Sequence, residues 1–215
     1  MTVKFMKPLA LSGLLALLQS SAVRWVRDKR GVAAVEFAFV VPLMLVMFFG
    51  TIEFSSAVAI NRKVSLVTQG LADLISRYPS VNSADITNFN AIANAMMTPY
   101  STTPLNATMS ELYIDPSTGA ARVQWSQGSA SRAVGSTVSV PANLIARNSV
   151  TNAIIPNQYL IFTEANYLYT PAVGYVMAEA GVTLSDKTYM LPRLSQCVIY
   201  PTPPAGTSLP NCPTS

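Results

Sequence analysis

From Val32 to Phe49 the chain carries sixteen apolar side chains, interrupted only by Glu36 and Pro42. Extended to Ile52, the run reaches the about 20 residues that cross a bilayer as a helix. A helix apolar on every face over that length is a membrane span, because the core helix of a soluble protein keeps a polar face. From Ile60 the pattern narrows to a stripe, Ile60, Val64, Val67, Leu71, Leu74 and Tyr78, with Arg62, Lys63, Asp73 and Arg77 off it. That is the 3.6-residue period of an amphipathic helix. No breaker separates the two segments, so one helix is expected from about residue 32 to 78, roughly 70 Å long at about 1.5 Å per residue. Pro79 stops it. Pro42 removes one ladder bond and predicts a bend.

Ser83 is the expected N-cap of a short second helix whose apolar face is Ile86, Phe89, Ile92 and Met96. Beyond it the period becomes two. Leu112 and Ile114, the turn DPSTG at 115–119, and then Ala121, Val123 and Trp125 read as a β-hairpin, with Gly119 free to take positive φ. In QYLIFTEANYLYT, residues 158–170, Tyr159, Ile161, Thr163, Ala165, Tyr167 and Tyr169 share one strand face, opposite Leu160, Phe162, Glu164, Asn166 and Leu168. Residues 189–191 and 197–200 are expected to add short strands. The fold class is therefore α+β: a long N-terminal helix, membrane-spanning and then amphipathic, followed by a small antiparallel sheet that packs on its outer half, since stripe and sheet each have one face to bury.

Charge divides the chain. Residues 1–30 hold six Lys or Arg and one Asp, net +5, whereas residues 32–215 hold eight basic and nine acidic residues, net −1. A neutral body without basic patches argues against nucleic acid as a partner. Arg24, Arg27, Lys29 and Arg30 sit just before the span and keep the N-terminus cytoplasmic by the positive-inside rule, which exports residues 55–215. The leader itself, PLALSGLLALLQ after Lys4 and Lys7, also reads as a signal peptide with Ser20, Ser21 and Ala22 at the cut. That reading would place four basic residues on the translocated side, against the charge rule.

Catalytic chemistry is scarce. The 215 residues contain no histidine, which removes the usual general base and most zinc sites. No phosphate loop, nucleophile elbow or CxxC occurs. An enzyme, a metal centre and a cofactor are not expected. The two cysteines, Cys197 and Cys212, could pair in an oxidising compartment, and closing that loop would add on the order of 3 kcal/mol; two free thiols remain the alternative reading.

Glu36 is the puzzle. A carboxylate inside a span costs about 2.5 to 3.5 kcal/mol at the helix centre, so it needs a shallow position, a partner or a function. Cleavage after Gly31 would remove the basic leader and create an α-amine on Val32, with a reference pKa near 8, five residues from Glu36 counting both ends. That amine and the carboxylate could meet within one chain or between stacked chains. Only the second contact sets an axial register.

The stretch KRGVAAVEF resembles the prepilin cleavage sites in which glycine precedes the cut, glutamate is fifth and an aromatic is sixth. More closely, RGVAAVEFAFVVPLMLVMFFGTIEF is similar to the opening of TadE/TadG-like proteins of tight-adherence (Flp) pilus systems, through Arg30, Gly31, Ala33, Ala34, Val35, Glu36, Phe37, Pro42, Glu53 and Phe54. NYLYTPAVG at 166–174 resembles an aromatic-Thr-Pro segment near the end of such proteins. The resemblance implies a pseudopilin or minor pilin with Gly31 and Val32 as the processing site and Glu36 and Phe37 acting in assembly. It implies a prepilin peptidase, other pilins or pseudopilins and the inner-membrane assembly platform as partners. The expected organisation is a leader, 1–31; a span, 32–54; the outer helix half, 55–78; an exported domain, 79–200; and a proline-rich tail, 201–215. An unprocessed, membrane-anchored binding module, with Trp125 and the tyrosines of 159–169 as contact aromatics, is the competing reading.

Overall fold

The computed structural model describes residues 30–171, 181–201 and Cys212; the leader, the end of NYLYTPAVG and most of the proline-rich tail lie outside the described residues. The chain is α+β: a long N-terminal apolar helix and a small antiparallel sheet after it. Its contacts divide it into two units, Met1–Thr51 and Ile52–Ser215.

Helix α1, Arg30–Ser76, runs through Pro42. In the first unit, residues 31–51 bury no side chain: Phe37 is 69% exposed, Phe39 76% and Met47 67%. The most apolar window has mean hydropathy 2.4, so this helix is long and apolar enough to cross a membrane.

In the second unit α1 buries one stripe. Ile60, Val64, Val67 and Leu71 are all in the core, as their spacing demands. The stripe then departs from expectation, with Ile75 fully buried while Leu74 is half-buried and Tyr78 is 38% exposed. A period of 3.6 from Leu71 allows either 74 or 75, and packing settles it. Tyr78 turns instead to meet Phe89 edge-on, with ring centroids 5.5 Å apart.

Helix α2 covers Ser83–Met97. Its cap is Asn82, not Ser83: the Asn82 side chain accepts from the amides of Ala84 and Asp85, and the Asp85 carboxylate accepts from the Asn82 amide. A cap at Ser83 would have put Ile86 at the third helical position, where it could not return the bond. The buried face is Ile86, Phe89, Ala93 and Met97, one residue round from the expected Ile92 and Met96.

Among the described residues five strands form one sheet, in spatial order β3-β2-β1-β4-β5: β1 Leu105–Ile114, β2 Ala121–Gly128, β3 Thr137–Val138, β4 Gln158–Tyr169 and β5 Val182–Met190. All neighbours are antiparallel. The β1–β2 hairpin turns through Gly119 at φ +75, with Asp115 accepting from the Ser117 amide and hydroxyl. These bonds hold the Asp115 carboxyl below its usual range. The central pair is β1 with β4, in register from Leu105↔Tyr167 to Ile114↔Gln158.

The sheet buries both faces, where one was expected. Met109, Trp125, Ile161, Ala165, Tyr167 and Tyr169 pack with α1 and α2. On the other side Leu112, Ile114, Ala121, Val123, Leu160 and Phe162 are covered by Val138, Val140, Leu144, Ile145 and Ile154 from the connection between β2 and β4. Ala121 and Val123 therefore face away from Trp125, although strict alternation would align them. A β-bulge is the cause: Glu111 pairs with Trp125 but Leu112 pairs with Val123, so Gln124 is the extra residue and the parity of β2 flips.

Strand β5 is longer than the expected 189–191. Its inward positions include Asp186 and Thr188, which meet the Thr68 hydroxyl of α1 at 3.4 and 3.1 Å, so apolar alternation does not mark it. Residues 197–200 join no sheet. They bind the turn after α1 through one parallel bridge, Ser80↔Ile199.

Candidate functional site in the long helix

The first half of α1 presents the residues expected to act in processing and assembly on an open helix. Gly31, Val32, Glu36 and Phe37 are all exposed, and nothing stands within 4 Å of where a Cβ on Gly31 would project. Val32 and Glu36 are four residues apart in one helix, hence neighbours on one face. Glu36 is the only ionisable side chain between Gly31 and Ile52. None of the described ion pairs includes it.

In the second unit the helix carries a second carboxylate, Glu53, whose partner the sequence does not reveal. It is 5% exposed. Its side chain accepts the Tyr169 hydroxyl, which also lies 3.4 Å from the Glu53 carbonyl oxygen. Burial first, and then the bond to Glu53, push the Tyr169 hydroxyl up to about 12. The end of the RGVAAVEF…TIEF segment and the NYLYT segment thus touch. The only signal for this in the sequence was that both segments belong to the same resemblance. Tyr169→Phe removes a donor from a buried carboxylate and is expected to cost about 1 to 3 kcal/mol, read as a lowered unfolding midpoint of the full chain in detergent; an unchanged midpoint refutes the contact's importance.

The remaining sequence candidates lie elsewhere. Cys197 is fully buried and forms a disulfide with Cys212, with Cα atoms 5.9 Å apart. Trp125, Tyr159, Tyr167 and Tyr169 are 4%, 2%, 5% and 7% exposed. They are core residues, so they cannot serve as the contact aromatics of a binding surface. Among the described residues no three Cys, Asp or Glu side chains converge as a ligand set.

A helix whose apolar first half buries no side chain, in a chain that also forms a compact α+β unit, is compatible with single-pass membrane anchoring. Residues 31–71 match the family model described as TadE-like protein. The match starts at Gly31 and ends at Leu71, so it takes in Glu36, Glu53 and most of the buried stripe. No curated protein and no solved structure matches the chain significantly.

Proposed function

We propose that this protein is a pseudopilin of a Tad (Flp) pilus, inserted in the inner membrane with its N-terminus cytoplasmic. A prepilin peptidase cuts after Gly31, the new Val32 amine and Glu36 join in helix stacking, and the Ile52–Ser215 unit projects from the membrane. The observation that carries this reading is the coincidence of a TadE-like match beginning at Gly31 with a helix whose apolar half is wholly exposed and bears a single carboxylate. Lipid covers such a surface in a monomer, and other apolar helices cover it in an assembly; the carboxylate needs a partner only in those settings. The size of the folded unit suits a minor subunit better than a bulk fibre subunit. Its role is structural rather than catalytic.

The deciding measurement is the mass of the mature protein from native membranes containing an active prepilin peptidase. The expected mass is that of a chain beginning at Val32, and Gly31→Leu is expected to preserve the full-length precursor. An intact leader on the wild-type chain overturns the proposal and favours an unprocessed anchor.

A further inference from the structure

The segment 197–200 is held to the core by groups that belong to three other parts of the fold. The Val198 amide donates to Glu111 Oε1 at 2.5 Å, and the Val198 carbonyl accepts from Trp125 Nε1 at 2.7 Å. The Ile199 amide donates to the Pro79 carbonyl at 3.0 Å, and the Ile199 carbonyl accepts from the Val81 amide at 2.9 Å. Trp125 Nε1 also reaches Glu111 Oε2 at 3.1 Å, closing a triangle of acid, indole and strap. The bulge in β2 makes this triangle, because it turns Trp125 to the face on which Glu111 stands.

Glu111 is 1% exposed, and none of the described ion pairs includes it. Facing it are Trp125 from β2, Tyr159 from β4 with Tyr113 beside it, and Val198 from the strap, whose Tyr200 lies against Trp125 with ring centroids 5.8 Å apart. None of these supplies a positive charge. The adjoining Cys197 is locked in its disulfide and does not titrate.

We propose that residues 197–200 form a proton-controlled strap, closed over a neutral Glu111 and released when opening lets that carboxyl ionise in water. Burial pushes the closed-state carboxyl up to about 8, against the opposing effect of the bonds from Val198 and Trp125. An opened, hydrated glutamate returns to about 4.3. Between these values the open state binds fewer protons than the closed one, so rising pH favours opening, by about tenfold per pH unit. Below that window both states are protonated, and above it both are ionised, so the dependence levels off at each end.

The test is hydrogen exchange of the full chain in detergent micelles from about pH 5 to about pH 9, expressed as protection corrected for intrinsic exchange. Protection of the Val198 and Ile199 amides is expected to fall about tenfold per pH unit up to about 8 and then flatten, at a lower level than that of the Ile161 amide at the sheet centre, whose exposure by unfolding of the whole unit frees Glu111 as well. In Glu111→Gln the strap is expected to lose its pH slope whatever its absolute protection. A flat wild-type profile overturns the proposal and does not require the variant to fold. So does a protection as high as that of Ile161 throughout, which would mean that the strap opens only with the whole unit, or a slope that survives in Glu111→Gln.

Discussion

Glu36→Ala is expected to leave cleavage after Gly31 intact while abolishing assembled pili, seen as a mature-size band in membranes from cells that carry no fibres by electron microscopy. The residue lies on an exposed helix face one turn from Val32, in a stretch with no other ionisable side chain. A carboxylate costs about 2.5 to 3.5 kcal/mol at the centre of a span, and in the proposed assembly an α-amine created on Val32 of a neighbouring helix would offset such a cost while fixing the helices' relative height. In that assembly alanine would remove the cost together with the register. Glu36→Gln keeps the shape and loses the charge, so it is expected to fail in the same way. Normal fibres from either variant would show that Glu36 does not set the register, leaving processing at Gly31 as a separate question.

Reducing the Cys197–Cys212 disulfide is expected to destabilise the Ile52–Ser215 unit by about 3 kcal/mol, from the chain entropy of a loop of this length. The two cysteines are 15 positions apart. For a unit of this size that loss corresponds to a fall of roughly 6 to 12 °C in Tm, measured on the full chain in detergent with and without reductant, with free thiols verified by mass. Reduction is the cleaner test than Cys197→Ser, since Cys197 is fully buried and serine would add an unpaired hydroxyl to the core. The four backbone bonds of Val198 and Ile199 do not depend on the crosslink, so the strap is expected to stay docked at acidic pH after reduction. A reduced protein that melts at the oxidised temperature refutes a stabilising role for the disulfide.

Much of this architecture was legible because it rests on local periodicity. The apolar run and the 3.6-residue stripe marked α1 through Leu71, and alternation marked β1, β2 and β4. Legibility failed where an inward position is polar or where the period slips. Strand β5 turns Asp186 and Thr188 toward Thr68, so its buried side resembles a surface. The bulge after Glu111 moves Trp125 to the opposite face from Val123 without any glycine or proline to announce it. The second core under the sheet draws on Val138, Val140, Leu144, Ile145 and Ile154, whose spacings sustain neither period beyond one pair. At the candidate site, Gly31, Val32, Glu36 and Phe37 stand out in the sequence because their order is a pattern of consecutive residues, whereas Tyr169, the partner of Glu53, stands 116 positions away.

Sequence alone determined that a long helix begins beside a basic cluster, that its first half is too apolar for water, and that a lone carboxylate sits one turn inside it. These are properties of neighbouring residues, set by side-chain transfer energies and helix spacing. Tertiary structure alone decided which acids are buried and what they hold: Glu53 against Tyr169, and Glu111 against Trp125 and Val198. A carboxylate's environment depends on chain segments brought together by folding, and Glu36, Glu53 and Glu111 carry the same side chain in three different surroundings. The physics that separates them is desolvation and the supply of donors, which exist only once the sheet, the bulge and the strap have closed around them.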